Sequence, residues 1–112
     1  MRIEKFNNNV GFFQEAFKIR EQAFIEELNI DPKLELEFED KSTHYLLFDD
    51  QDIPIATGRW RKTTEGVKLE RFAVLKEYRN KGIGKIILEH ILKDILPSKK
   101  TIYLNAQIEA IN

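Results

Sequence analysis

The spacing of apolar residues predicts a short strand and then a helix in the first part of the chain. Residues 2–6 are interpreted as the strand. After the asparagines at 7–9, which can cap a helix, apolar residues recur at helical spacing as far as Leu28. Pro32 ends this region, and we interpret the acid-rich residues 34–40 as an ordered loop.

Three strands with short connections are predicted next. They cover 43–48, 53–61 and 67–75, and the polar residues between them, 49–52 and 63–66, are typical of turns. Because connections this short join neighbouring antiparallel strands, we expect these strands to form a meander.

The last part of the chain alternates strand, helix and strand. Between the strand 67–75 and a strand predicted at 101–106, isoleucines and leucines at helical spacing predict a helix over 83–96, and Pro97 ends it. Strands joined through a helix run parallel, by a right-handed crossover. Residues 108–112 are interpreted as the start of another helix.

Together these elements predict one α/β (α+β) domain over residues 1–112. The antiparallel meander and the βαβ unit would form a mixed sheet with helices on both faces. The chain has 42% hydrophobic and 33% charged residues, which is typical of a soluble globular domain. It has no apolar run near the ~20 residues of a membrane span and no apolar signal segment at its start. We therefore expect a cytoplasmic location and no membrane partner.

Composition also excludes several kinds of chemistry. The sequence has no cysteine, so disulfides, a thiol nucleophile and a thiolate metal site are excluded. Its two histidines, His44 and His90, lie far apart in the sequence, and we expect no metal. The net charge of −1 argues against nucleic acid as a partner of the whole domain.

Charge is unevenly distributed along the chain. Residues 31–40 contain five acidic residues and one lysine, whereas residues 76–100 contain seven basic and three acidic residues. The acidic segment could attract a cationic partner such as an amine, or could be an ordinary solvated surface. The basic segment surrounds a turn that contains glycines.

That turn, residues 79–84, has the pattern of a phosphate site. It joins a predicted strand to a predicted helix start, where unpaired backbone N–H groups and the helix dipole favour an anion. Gly82 and Gly84 would permit unusual dihedral angles and close approach of the anion. Three bases flank the turn: Arg79, Lys81 and Lys85. The alternative is an ordinary glycine turn between a strand and a helix.

The pattern Arg-x-x-Gly-x-Gly at 79–84 resembles the acetyl-CoA signature Gln/Arg-x-x-Gly-x-Gly/Ala of the GNAT superfamily of N-acetyltransferases. The longer run over 71–84 shares this resemblance, and residues 54–59 are similar to the third strand of the family. Residues 17–27 resemble the opening helix of its ElaA-like branch. The order of the predicted elements also agrees with that family.

The resemblance implies a GNAT-like sheet and an N-acetyltransferase that uses acetyl-CoA as cosubstrate and a primary amine, on a small molecule or a peptide, as acceptor. In this family the coenzyme lies between the strands that correspond to 67–75 and 101–106. Backbone groups of the first strand bind the acetyl-pantetheine arm, while amides and basic side chains of the glycine turn hold the pyrophosphate. The residues that match these positions are Phe72, Ala73, Val74, Arg79, Asn80, Lys81, Gly82, Ile83, Gly84 and Lys85.

The implied reaction is direct attack of the amine on the thioester, because an acyl-cysteine route needs a cysteine. The amine must lose a proton, and Glu70 is a candidate catalytic base, directly or through water. A surface or salt-bridged glutamate is the alternative. An amide N–H on the same strand, that of Val74, would polarise the thioester carbonyl.

The resemblance breaks off near the end of the printed sequence. Residues 107–112 look like the approach to a Phe-Tyr-Glu-x-x-Gly-Phe segment, whose tyrosine is the general acid in the family, and that segment does not follow Asn112. A C-terminally truncated domain would expose the edge of the strand 101–106, and we expect either self-association through that edge, as in a homodimer, or a domain much less stable than one that carries the missing segment. Three hypotheses stay open: an active acetyltransferase, a coenzyme-binding relative with weak catalysis, and a fragment completed by another chain.

Overall fold

The computed structural model describes residues 1–22, 41–98 and 101–104 of the chain. The elements in these ranges are β1 (Arg2–Phe6), α1 (Val10–Arg20), β2 (Ser42–Phe48), β3 (Pro54–Thr63), β4 (Gly66–Val74), α2 (Ile83–Ile95) and β5 (Ile102–Leu104). Every strand and helix predicted in these ranges is confirmed, with small differences at the ends. The loop predicted at 34–40, the helix start predicted at 108–112, the part of the first predicted helix beyond residue 22 and residues 105–106 of the last predicted strand lie outside the described residues. Neither of the described helices is long and apolar enough to cross a membrane.

The described strands form one sheet whose spatial order is the order of the chain, β1-β2-β3-β4-β5. β1 to β4 pair antiparallel, and β5 pairs parallel to β4. The predicted meander and the predicted βαβ unit are therefore both confirmed.

The two helices cover opposite faces of this sheet. Leu46 belongs to an apolar cluster that contains Ala16 and Ile19 of α1, whereas its neighbour Leu47 belongs to a cluster that contains the buried side of α2. Because successive side chains of a strand point to opposite faces, these clusters are the two layers of the core. The buried isoleucines of α2 are Ile83, Ile87, Ile91 and Ile95. The predicted mixed sheet with helices on both faces is confirmed.

Polar side chains join α2 to the sheet. Trp60 donates from Nε1 to the hydroxyl of Tyr45 at 3.0 Å, and Tyr45 donates to Asp94 of α2 at 2.8 Å. Arg59, the residue before Trp60, forms a buried ion pair with Glu70 on the neighbouring strand. Trp60 thus takes part in the contact with α2 on one face of the sheet, and Arg59 forms an ion pair on the other face.

A β-bulge divides β4 into two parts. Thr57 pairs with Ala73 and Arg59 pairs with Glu70, so that Gly58 of β3 faces two residues of β4. One of them, Arg71, has a φ of 58°, and the other is Phe72. A Cβ on Gly58 would lie 2.6 Å from Cε1 of Phe72, so the glycine makes room for that ring.

Candidate functional site

The glycine turn presents backbone donors to open space. Gly82 has a φ of 76° and precedes α2 as its N-cap. The first hydrogen bond of the helix is donated by the N–H of Ile86 to the carbonyl of Gly82 at 3.1 Å, so the N–H groups of Ile83, Gly84 and Lys85 have no partner within the helix. A Cβ on Gly82 would meet nothing within 4 Å. This set of donors at a helix N-terminus suits an anion, and the phosphate site stays a prediction.

The two glycines of the turn have different roles. Gly82 needs its positive φ, but Gly84 is a buried residue in the first turn of α2 and does not have a positive φ. The expectation of unusual dihedral angles at both glycines is therefore wrong for Gly84. The second left-handed residue of the turn is Asn80, with a φ of 63°. The signal that could have found it is the residue type, since asparagine enters this region more readily than most residues.

The three basic side chains of the turn lie in different places. Arg79 donates from Nε to the carbonyl oxygen of Val74 at 2.9 Å, and so folds back onto the end of β4. Lys81 places its ammonium 5.7 Å from the centre of the Tyr78 ring. Lys85 is exposed, and its Nζ lies 3.9 Å from Oε1 of Glu89 on the same face of the helix. Only Arg79 therefore makes a described contact with the strand edge.

The edge of β4 that faces away from β3 changes character along its length. Residues 67–69 pair with β5, and from Glu70 onward no described strand lies on that edge. The second part of β4 is thus bordered by β3 alone within the described ranges.

Backbone orientation decides which groups of β4 reach this edge. The N–H of Leu75 donates to the carbonyl of Ile55 in β3 at 2.9 Å. Since orientation alternates along a strand, the N–H and C=O of Ala73 also point to β3, and those of Phe72 and Val74 point to the open edge. Of the three residues expected to bind a pantetheine arm through their backbone, Phe72 and Val74 present their groups to that edge.

Glu70 is enclosed by basic side chains. Its Oε2 lies 2.5 Å from Nη2 of Arg59 and 3.0 Å from Nε of Arg61, and its Oε1 lies 3.5 Å from Nζ of Lys68. Burial raises the pKa of the Glu70 carboxyl, but the charge of Arg59 and the hydrogen bonds from both arginines outweigh burial and hold that pKa below its ordinary value. A carboxylate that resists protonation is a weak base, so this geometry favours the salt-bridged alternative.

The turn between β2 and β3 contacts the segment that leads into the glycine turn. Asp49 accepts hydrogen bonds on Oδ1 from the N–H groups of Gln51 and Ile53, at 2.8 and 3.0 Å, and on Oδ2 from the hydroxyl of Tyr78 at 2.9 Å. The hydrogen bond to Asp49 raises the pKa of Tyr78 above its ordinary value. A cleft of ≈ 430 Å³ lies between this β2–β3 turn and the residues Tyr78, Lys81 and Ile83. No residue spacing in the sequence indicates this contact between the two turns.

Three further expectations concern a metal, the acidic segment and a homodimer. Within the described ranges, no group of three or more His, Cys, Asp or Glu side chains could hold a metal ion. The acidic segment 31–40 lies outside those ranges. The homodimer through the strand 101–106 stays a prediction.

Comparisons with known proteins give the family. The sequence profile of the acetyltransferase (GNAT) family matches residues 13–112. The uncharacterized N-acetyltransferase YjcF of Bacillus subtilis (strain 168) is 36% identical over 100 residues, which cover 88% of this chain and 71% of that protein. The structure of Escherichia coli ElaA matches with a TM-score of 0.80 at 19% identity, over 96% of this chain and 79% of that one.

A further structure has the same fold and contains a coenzyme derivative. AAC(6')-Iy, solved in complex with the bisubstrate analog CoA-S-monomethyl-acetylneamine, matches with a TM-score of 0.68 at 13% identity, over 97% of this chain and 82% of that one. At such identities the structural matches show the fold, whereas the profile and the sequence relative show the family. The chain belongs to the acetyltransferase (GNAT) family of acyltransferases.

Proposed function

We propose that this protein transfers the acetyl group of acetyl-CoA to a primary amine. The observation that carries the proposal is that two sets of backbone donors meet at the end of β4. One set is the N-terminus of α2 beside Gly82, and the other is the open edge at Phe72 and Val74. A pyrophosphate bound at the first set directs the pantetheine arm along the second, where it pairs like an added strand. The bisubstrate analog of the AAC(6')-Iy structure, which contains CoA, supports CoA as the donor.

The proposed chemistry is a direct displacement at the thioester. The lone pair of the neutral amine attacks the carbonyl carbon, a C–N bond forms, and the carbonyl oxygen takes the displaced electron pair. The N–H of Val74 donates to that oxygen as its negative charge develops. The C=O bond then re-forms, the C–S bond breaks, and CoA leaves as a thiolate that takes a proton from water. The nitrogen loses its extra proton to water, and the products are an N-acetyl amine and free CoA.

Positioning, rather than a strong base, supplies the rate in this scheme. Glu70 is held in its ion pairs with Arg59 and Arg61, which leaves its carboxylate to stabilise the sheet. Holding the amine and the thioester in reactive geometry accounts for a large part of the barrier reduction in bimolecular reactions. The attraction of the acidic segment 31–40 for a cationic amine stays a prediction.

The variant Gly82→Glu tests the donor site. A glutamate there places bulk and negative charge in the open space in front of the α2 N-terminus, so we expect no measurable binding of acetyl-CoA by calorimetry. Gly11→Glu is the matched control. It makes the same substitution and the same charge change on α1, where a Cβ has ordinary space, and it should bind as the wild type does.

Thermal melting must show that both variants are folded, because a side chain at a φ of 76° is strained. Wild-type affinity in folded Gly82→Glu would disprove the pyrophosphate position. A wild-type protein that binds no acetyl-CoA would disprove the proposed function. Turnover with a panel of primary amines, followed as release of the CoA thiol, then separates an active acetyltransferase from a coenzyme-binding relative.

A further inference from the structure

We propose that Arg79 is a positioning residue for the acetyl group, in addition to any attraction of its charge for phosphate. Its Nε–H holds the carbonyl of Val74, so that the N–H of Val74 is the group left to bind the thioester oxygen. The inference rests on the proposed function, because it assigns a role within the same coenzyme site.

The peptide group between Val74 and Leu75 is fixed at both ends. Its carbonyl oxygen accepts the hydrogen bond from Nε of Arg79 at 2.9 Å, and its N–H donates to the carbonyl of Ile55 at 2.9 Å. Val74 is 1% exposed, so its side chain is also held by the core. These two hydrogen bonds and the buried side chain of Val74 hold this peptide group in one orientation.

Arg79 changes what the open edge of β4 offers to a ligand. By the alternation described above, the edge would present the N–H and C=O groups of both Phe72 and Val74. The bond from Arg79 engages the carbonyl of Val74, so that the carbonyl of Phe72 is the acceptor without this competition, beside two donors. The N–H groups of a pantetheine arm then pair with the carbonyl of Phe72 without competition, whereas pairing with that of Val74 competes with Arg79, so a slip further along the strand is disfavoured.

The same bond links the two halves of the coenzyme site. Arg79 begins the turn whose next residues present the phosphate donors, and its side chain reaches back five positions to the acyl end of the strand. The phosphate donors of the turn and the carbonyl of Val74 are therefore connected through one residue.

Two uncharged substitutions separate the hydrogen bond from the charge. Glutamine places an N–H₂ group on the same atom position that Nε occupies in arginine, so Arg79→Gln keeps the donor and loses the charge. Methionine has a similar length but places a methyl group there, so Arg79→Met loses both. The two variants are expected to bind acetyl-CoA about tenfold or more weakly by calorimetry, because both lack the charge.

The deciding measurement is infrared difference spectroscopy of acetyl-CoA labelled with ¹³C at the thioester carbonyl. A hydrogen bond to that oxygen moves the C=O stretch to lower wavenumber. We expect this shift in the wild type and in Arg79→Gln, at saturating acetyl-CoA, and its loss in Arg79→Met. If both variants keep the shift, or if both lose it, the inference about Arg79 is wrong, although the coenzyme site itself is not disproved. No acetyl-CoA binding by the wild type would instead disprove the proposed function.

A second measurement avoids variants that fold poorly. In the wild-type complex with acetyl-CoA, NMR should detect the scalar coupling across the hydrogen bond between ¹⁵Nε of Arg79 and the ¹³C carbonyl of Val74, or slow exchange of that Nε proton with solvent. An Nε proton that exchanges rapidly in the complex, without the coupling, would show that Arg79 does not hold the carbonyl.

Discussion

The two parts of β4, before and after its bulge, are organised in opposite ways. Over residues 67–69 the strand is paired on both edges, and Glu70, which follows, takes part in a cluster of buried charged side chains. After Arg71, within the described ranges, it is paired on one edge, and Phe72 and Val74 have apolar side chains buried in the core. The charged part thus stabilises the sheet, and the apolar part is where we propose that chemistry occurs, through backbone groups. Glu70, whose residue type most suggests a catalytic base, thus lies in the part of β4 that stabilises the sheet.

The largest expected effect comes from breaking the charged part with Glu70→Gln. This change removes the carboxylate from a buried ion pair with Arg59, which is 0% exposed, and removing one partner of a buried pair typically costs about 3–5 kcal/mol. We expect a loss of this size in the free energy of unfolding by urea at pH 7. Glu65→Gln, at an exposed position of the β3–β4 turn, is the matched control and should change stability little.

The pH dependence of this difference has a defined sign. Since the folded protein lowers the pKa of Glu70, the contribution of its carboxylate is complete above the unfolded pKa of about 4.3 and is lost as pH falls through the lower folded pKa. The difference in stability between wild type and Glu70→Gln should therefore narrow at acid pH. A Glu70→Gln protein of full stability that has lost turnover would mean that Glu70 is the catalytic base.

A smaller effect is expected from Gly58→Ala, which acts on the boundary between the two parts. Its Cβ would lie 2.6 Å from Phe72 and 3.2 Å from Ile87, and overpacking of this kind costs typically ~1–3 kcal/mol. Urea unfolding should show that loss, and combining it with Phe72→Leu should recover part of it. Gly11→Ala, whose Cβ would lie 3.5 Å from Oδ1 of the N-cap residue Asn9, an ordinary contact, should instead gain at most about 1 kcal/mol. Equal effects of the two alanines would contradict the role of Gly58 in the bulge.

The smallest effect concerns the support of the glycine turn by Tyr78. In the folded protein the hydrogen bond to Asp49 raises the pKa of the phenol, so this bond is complete below the ordinary pKa of about 10 and is lost as pH rises through the higher folded value. NMR titration of labelled tyrosine should show a lower pKa for Tyr78 in Asp49→Asn than in the wild type. An unchanged titration would mean that the two turns are not connected in solution.

Much of the fold follows from local patterns. Strand and helix periods, short connections and crossover handedness were sufficient for the meander, the parallel pairing of β5 and the burial of α2. The pairing of Glu70 with Arg59 can also be predicted from the sequence. The turn closes with Thr63 opposite Gly66, and counting back along the two strands places Arg59 opposite Glu70.

The parts that were missed depend on contacts between distant residues. The bulge falls on Arg71, a residue type with no preference for positive φ, and its only local signal is Gly58 on the partner strand. The bond from Arg79 to Val74 depends on how a long side chain is folded back, which no spacing encodes. The sequence predicts three cations around the turn, but it does not show where each charged side chain is held.

The agreement between chain order and sheet order bears on how this domain forms. The pairings β2–β3 and β3–β4 join neighbours through short turns, so their closure costs little entropy, whereas β1 and β5 reach the edges through connections that enclose a helix or a longer segment. Folding should then start from the central three strands and add the two edge strands afterwards. Native-state hydrogen exchange should accordingly show the slowest amides in β3 and faster exchange toward β1 and β5. The candidate site, built on the side of β4 where the last strand arrives, would be among the last parts of the molecule to become ordered.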